Sequence, residues 1–585
     1  MGELPYDYVD NPFEAVQVTF EKAVQDLATD GRFDPARFYR KDWGVVDLFR
    51  HFVFDNGGFS KIPILELSNL HRIKPNTLVR YRGMIQDMFG NELYIGAFKD
   101  GDTWRTNKFM ERPMFEMTPS SDEKTQLWER SLVYCVPVPG QNSWTLEYST
   151  PPYGEKRGRD DEVDTMDFDD SLFKKQRVDE VQIQNQSLDS VGDPHFQSST
   201  DMVDGFDKNH FSCLVKVYDT PENNLNLNDV IEFIGIYTFD PEPAEDDDVD
   251  PNYPTFEFME DVTDHISPTK VPRLHCLIHR KLSVHDFLLG RHIAAAPTPN
   301  LIRDVRESLF TYLLTVLGND GLAAQCVLLH ILSRVRSRDH SISVGRLSLN
   351  LSGFTRENGS KFGNKLSESL KNILPFSLYI PLTVEYLNTD HLQPKKNNVT
   401  GRLVSGALQL AQGTHLVIDE TTLCSGTLYD IGLANVRLLK HLMECQMVAY
   451  NFEYYNLEMP GEVQFLILSE GKSNILPADL VVPFQPNAIT SSTNVTPELL
   501  ESWRWYLAEM KSIPHSIEPD LQKTLEDDMV AAKKVNVNLR CEDLSRLLTM
   551  AQLMSASFGE TNLSLERWQM VKEIELLRKK RIGGI

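Results

Sequence analysis

The run His415-Leu416-Val417-Ile418-Asp419-Glu420 constrains this chain more than any other stretch. An apolar run ending in two adjacent acids reads as a buried parallel strand that delivers carboxylates to its C-terminal edge. Open α/β sheets place ligands at that edge. In a nucleotide hydrolase the Asp would hold Mg²⁺ and the Glu would polarise the attacking water. The same residues also fit a strand that ends in a solvated turn, because short motifs recur by chance.

A nucleotide-binding sheet also needs a phosphate loop. A new domain begins near Asn300, which can cap a helix whose apolar face includes Leu301, Val305, Leu309 and Leu313. Gly318-Asn319-Asp320-Gly321 follows and opens the apolar helix Cys326 to Val335, with the shape of a phosphate-binding loop. The alternative is a plain helix-helix turn. Further strands are expected at Leu347–Leu351, Leu382–Leu387 and Val463–Ser469, and a helix from about Ala434 to Cys445. Gly471-Lys472-Ser473 lacks the upstream Gly of a phosphate loop and reads as coincidence.

Upstream the period changes. Residues 1–65 read as short helices, with Val16, Phe20, Val24 and Leu27 at helical spacing. From Thr77 apolar and polar residues alternate, as Val79 and Tyr81 do with Arg80 and Arg82. Further short strands are expected at Tyr94–Phe98, Leu132–Val138, Cys213–Tyr218 and Val230–Phe239. Five short strands suggest an OB-like barrel split over 66–150 and 211–290. Such barrels can bind single strands through aromatics and a basic groove. Tyr81, Tyr94, Phe98 and Trp104 with Arg80 and Arg82 are the candidates, and barrel filling is the favoured alternative. Val271–His279 is another strand; its His275 and His279, four apart, are expected on one face but too far apart to share an ion comfortably, and no third metal ligand is visible.

Between the barrel halves, residues 151–210 are polar and poor in large apolar groups, so disorder is expected. Lys156, Arg157 and Arg159, then Lys174, Lys175 and Arg177, form two basic clusters that read as a nuclear import signal or as solvated charge. Residues 240–270 include a strongly acidic loop. The last part, 495–585, is helical: Thr496 and Ser564 read as caps, and Gly559 as a stop. Leu565, Trp568, Val571, Ile574 and Leu577 form a stripe on the final helix.

The formal net charge is −25 over 585 residues, which disfavours general nucleic-acid binding and suits basic protein partners. Seven cysteines include no C-x-x-C pair, as expected for a reducing compartment without a disulfide framework or zinc site. The N-terminus shows no targeting signal and no apolar run reaches membrane-span length, so a soluble intracellular protein is expected.

Ser405-Gly406-Ala407-Leu408-Gln409-Leu410-Ala411, Gly413 and Ile418-Asp419-Glu420 together resemble the second nucleotide motif of the minichromosome maintenance (MCM) helicase subunits. Against the phosphate loop of those subunits, Gly318 and Gly321 match, Ala324 stands for the Lys and Gln325 for the Ser. Pro477 stands where their arginine finger would be. Tyr81–Met88, Tyr134–Gly140, Cys213–Tyr218, Ser469-Glu470-Gly471 and Leu563–Trp568 extend the likeness. Over nearly its whole length the chain resembles the MCM complex-binding protein family, most of all its plant members.

The expected fold is multidomain α+β. An N-terminal helical segment (1–65) precedes an OB-like β-barrel with a disordered insertion. A degenerate AAA+-like α/β domain (296–490) and a C-terminal helical lid-like region (495–585) follow. The resemblance implies a nuclear adaptor or pseudo-subunit that binds MCM subunits and associates with chromatin through them. It further implies a role in helicase assembly or unloading during DNA replication and in sister-chromatid cohesion. No catalysis, cofactor, metal or strong direct DNA binding is expected, and no membrane association. The alternatives are a single-strand-binding OB protein and a slow ATPase using Asp419 and Glu420.

Overall fold

A computed structural model describes residues 7–27, 35–66, 69–70, 72–111, 125–147, 211–219, 225–238, 271–288, 298–339, 342–355, 362–473, 475–487, 495–535 and 540–583. The insertion at 151–210 with the six basic residues of its two clusters, and the acidic loop from Asp240 to Asp250, lie outside them. Twelve α-helices and several sheets make a mixed α/β molecule among the described residues.

The first six strands are β1 (Leu78–Asp100), β2 (Thr103–Thr106), β3 (Thr125–Val136), β4 (Cys213–Val217), β5 (Val230–Thr238) and β6 (Arg273–Lys281). Their order is β2-β1-β3-β4-β6-β5, and β1 also pairs with β5. That extra pairing closes β1, β3, β4, β6 and β5 into a ring and leaves those strands no open edge there. Val79, Tyr81, Val133, Val215, Phe233 and Leu274 fill one buried cluster. The two strands expected at Val79 and at Tyr94–Phe98 are one strand of 23 residues. Three register shifts against β3, the first between Ile85 and Asp87, break its alternation and let it bend. Its second half forms a ribbon with β3. The helices Pro12–Leu27 and Val45–Arg50 cover this region, where Val16, Phe20 and Phe49 join Ala97 and Trp128.

Downstream, β7 (Ser337–Asp339) and β8 (Ile342–Val344) form a short hairpin. β9 (Leu349–Ser352), β10 (Ser377–Pro381), β13 (Thr414–Asp419), β16 (Val463–Ser469) and β17 (Leu480–Pro483) form a sheet in the order β10-β13-β16-β9-β17. Every neighbouring pair in it is parallel. β11 (Lys395–Lys396), β12 (Leu403–Val404), β14 (Met447–Asn451) and β15 (Asn456–Pro460) form a small sheet in the order β12-β11-β14-β15. The parallel sheet is covered on both faces, as such sheets must be. Val417 of β13 packs into the core that holds the helices Gly321–Leu332 and Cys541–Ser557. Its neighbours Leu416 and Ile418 face Leu439 and Leu442 of the helix Asp430–Cys445.

Three local expectations are corrected. Leu382–Leu387 is not a strand: the Thr383 hydroxyl accepts from Tyr386 N at 3.0 Å and caps the helix Val384–Thr389. The helix Pro299–Val316 is capped by Thr298 and not by Asn300, with Pro299 at its first position. The last helix, Leu565–Ile582, buries Trp568, Val571, Glu575 and Arg578, while Leu565 and Leu577 of the expected stripe are exposed. Its inner face is bound by charge: Glu575 receives Arg578 at 2.6 Å and Arg546 at 3.1 Å.

The barrel and the parallel-sheet unit are docked. Met84, Val138, Trp144 and Phe287 from the barrel side pack with Phe376 and Ala411. The Gln86 amide donates to Leu403 O at 2.6 Å, and Leu403 N donates to Asp87 at 2.8 Å. Trp144 Nε1 donates to Leu374 O at 3.0 Å.

Candidate functional site at the parallel-sheet edge

β13 delivers Asp419 and Glu420 to the C-terminal edge of the parallel sheet, as its apolar run requires. Both acids are already engaged there. One Asp419 oxygen accepts from the Tyr379 hydroxyl on neighbouring β10. The other accepts from Thr421 N at 2.9 Å and the Thr421 hydroxyl at 2.6 Å, which caps the short turn Glu420–Thr422. Glu420 accepts from the Ser473 hydroxyl at 2.7 Å. Burial pushes the Glu420 carboxyl above its ordinary range, the Ser473 hydrogen bond opposes this, and the nearby Asp419 charge adds to the rise.

The network continues across the sheet. Asn350, fully buried on β9, donates to the Ser469 hydroxyl of β16 at 2.6 Å and accepts from Ser473 N at 3.2 Å. The sequence pattern alone does not single out Asn350. Its signal is a lone amide at a polar position of the alternating stretch Leu347-Ser348-Leu349-Asn350-Leu351.

The expected phosphate loop is corrected. Gly318–Gln325 joins two helices, Pro299–Val316 and Gly321–Leu332, and no strand feeds it. Gly318 and Asn319 take φ of +62° and +64°, which makes the sharp turn. The helix N-terminus is filled by the chain's own Asp320, which accepts from Ala323 N at 3.0 Å, Gln485 N at 2.8 Å and Arg581 at 2.7 Å. Ala324 is a fully buried core residue, and Gln325 faces Arg306 and Met554. Asp320 is tied to the end of β17, three strand steps from β13. That is roughly 14 Å at ~4.8 Å per step. The structure therefore separates Gly318, Gly321, Ala324 and Gln325 from Asp419 and Glu420.

The first strand of the parallel sheet in chain order is β9, and the chain leaves it through Gly353 and Phe354, which donate to Glu470 O at 2.9 Å and Ser469 O at 3.1 Å. The sequence from there to Asn364, GFTRENGSKFGN, departs from the G-x-x-x-x-G-K-[ST] pattern. Residues 356–361 lie outside the described part. Pro477 is exposed between β16 and β17.

The proposed single-strand platform is used internally. Tyr81 and Phe98 are buried, and the Tyr81 hydroxyl donates to Phe211 O at 3.1 Å. Tyr94 stands edge-on to Trp128 and Tyr218. Arg82 and Arg280 bind the fully buried Glu232 at 2.8 and 2.6 Å. Arg80 lies 3.8 Å from the same carboxylate, and burial lowers its pKa to about 10. His275 and His279 are not on one face: a register shift opposite Ile234 and Gly235 interrupts the alternation of β6. His275 contacts the Tyr218 hydroxyl at 2.7 Å and Glu111 at 3.1 Å, whereas His279 stands across from Phe233.

Over residues 49–582 the chain matches the family model described as mini-chromosome maintenance replisome factor. The chain belongs to that family. Relatives named mini-chromosome maintenance complex-binding protein include one from Arabidopsis thaliana, 48% identical over 603 residues and covering all of both chains. One from Gallus gallus is 31% identical over 641 residues, covering 98% of each chain. One from Homo sapiens is 31% identical over 612 residues, covering 92% of this chain and 94% of its own. In this replisome-factor chain the acids that would serve metal and water in a hydrolase hold neighbouring strands together. Tyr379 ties β10 to β13, and the Asn350–Ser473–Glu420 chain ties β9 to β13 across β16.

Proposed function

We propose that this chain binds MCM helicase subunits in the nucleus as a non-hydrolysing, AAA+-like pseudo-subunit. It regulates helicase assembly or unloading during DNA replication, contributes to sister-chromatid cohesion, and meets chromatin through its partners. Full-length similarity to chains named MCM complex-binding proteins carries this reading. An AAA+-like unit is supported by the all-parallel order β10-β13-β16-β9-β17 and by the helix pair Cys541–Ser557 and Leu565–Ile582, which comes after two further helices, Pro497–Ser512 and Pro519–Val535. The closed ring of β1, β3, β4, β6 and β5 supports an OB-like unit. Silence toward ATP is supported by the protein partners of Asp419 and Glu420.

Affinity capture of the tagged chain from dividing cells tests the binding reading. MCM subunits are expected among the co-purifying chains, and their absence refutes it. Purified protein is expected to turn over no ATP above a buffer blank. Nuclear delivery is assigned to Lys156, Arg157, Arg159, Lys174, Lys175 and Arg177. Replacing all six by Ala is expected to lower nuclear accumulation of a fluorescent fusion; an unchanged distribution moves import elsewhere.

A further inference from the structure

The small sheet ends in two turns whose tips stand clear of the core, while Phe452 at the base of the second packs against it. β11 and β14 are parallel, in register at Lys395↔Asn451, so the turns that follow them project from the same end. Their tips carry Val399, 90% exposed, and Tyr454, 87% exposed, with Tyr455 at 61%. Both turns are nevertheless held in shape. Val399 N donates to the Asn397 side chain at 2.9 Å, and Glu453 N to the Asn451 side chain at 2.7 Å. The Phe452 ring stacks on Tyr455 at 5.4 Å, and Phe452 N donates to Tyr455 O at 2.9 Å. The sheet itself is anchored to the barrel, through Tyr450 bonded to Asn228 at 2.8 Å and Arg402 lying 4.7 Å over the Tyr134 ring.

Large rings kept in water on a rigid support are poor economy for a fold and good design for an interface. Tyrosines are enriched among the residues that dominate protein interfaces, and a preorganised tip loses little entropy on docking. Charge selects the partner's class. Glu453 stands exposed beside the Tyr454 and Tyr455 rings, while Lys395 is exposed at the foot of the Val399 turn, so the acid lies on the ring side of the tip. A carboxylate flanked by aromatic rings complements an apolar pocket edged by Lys or Arg.

We propose that Val399, Tyr454 and Tyr455 form the tip by which this chain docks into an apolar, basic-rimmed pocket on an MCM subunit. The inference rests on the MCM-binding reading above. The test uses the full-length chain, immobilised, against individually purified MCM subunits by interferometry. Wild type is expected to bind at least one subunit. The triple variant Val399→Asn, Tyr454→Ala, Tyr455→Ala is expected to bind it at least tenfold more weakly with an unchanged melting temperature. Glu453→Lys is expected to weaken the same contact. Equal binding by the triple variant overturns the inference while leaving the MCM reading intact. Tighter binding by Glu453→Lys overturns the basic rim. Tip-dependent binding of a single-stranded oligonucleotide, in place of a subunit, overturns the protein pocket. If wild type binds no subunit, the MCM reading fails and takes the tip with it. Should the triple variant melt early, Tyr454→Ala alone is judged by the same tenfold criterion.

Discussion

Asp419 shows how one carboxylate can be moved from chemistry to architecture. A magnesium-holding acid needs lone pairs free toward the metal. Here Tyr379 and Thr421 occupy both oxygens. Asp419→Ala leaves the buried Thr421 N and the part-buried Tyr379 hydroxyl without their acceptor. A loss of about 2 kcal/mol follows from leaving buried donors unpaired. Urea denaturation checks it: a fall in midpoint with ATP turnover still at the blank is expected. A stable variant, or one that loses a measurable ATPase, contradicts the structural role. Asp419 was identified in the sequence by its place after an apolar run. Its partner Tyr379 was not, because Tyr379 lies in another strand and only the parallel register brings them together.

At the scale of elements, β13 and the helix Gly321–Leu332 meet through two buried histidines. His330 and His415 face each other at 3.0 Å, and His330 also contacts Leu347 O at 2.7 Å. Burial pushes the His330 pKa down to about 4, and burial together with His330 depresses that of His415. Both fold as neutral rings, so the unfolded chain binds more protons between about pH 4 and the ordinary value near 6.5. Stability is therefore complete above that ordinary value and falls as pH drops toward the folded pKa. His330 alone accounts for roughly 3 kcal/mol at the acid end. Urea midpoints at pH 7.5 and 5.0 check this. The difference is expected to shrink in His415→Leu, and an unchanged difference assigns the acid sensitivity to other groups. The pairing itself was not legible: His415 read as the first residue of a strand and His330 as one of an apolar helix.

At the scale of the whole molecule, the joint between the barrel and the parallel-sheet unit decides cooperativity. Trp144 is buried across that joint, with its indole donating to Leu374 O and Arg504 lying 4.2 Å over its ring. Removing a buried Trp typically costs about 3–5 kcal/mol. Because that loss falls on the joint, Trp144→Ala is expected to split one calorimetric transition into two. A single transition shifted downward would instead mean that the units unfold together without this contact.

Local pattern was enough for much of this chain. Period-two runs announced most of the barrel strands, an apolar run announced β13, and Ser564 marked the start of the last helix through its acceptance from Arg567 N at 3.4 Å. These features depend on neighbours in sequence, and the physics that sets them is short-ranged. The phosphate-loop assignment failed for the complementary reason. A glycine-rich turn before a helix looks the same whether a strand or a helix precedes it, and only strand order shows that Gly318–Gln325 lies beyond β17. The fate of Arg80 and Arg82 was likewise decided at long range, by Glu232 on β5, and the joining of two expected strands into β1 by bulges against β3. The sequence thus determined which residues are apolar, acidic or basic. The tertiary structure decided which charges are spent on one another, because burial makes a pair's worth depend on partners that the chain brings together only by folding.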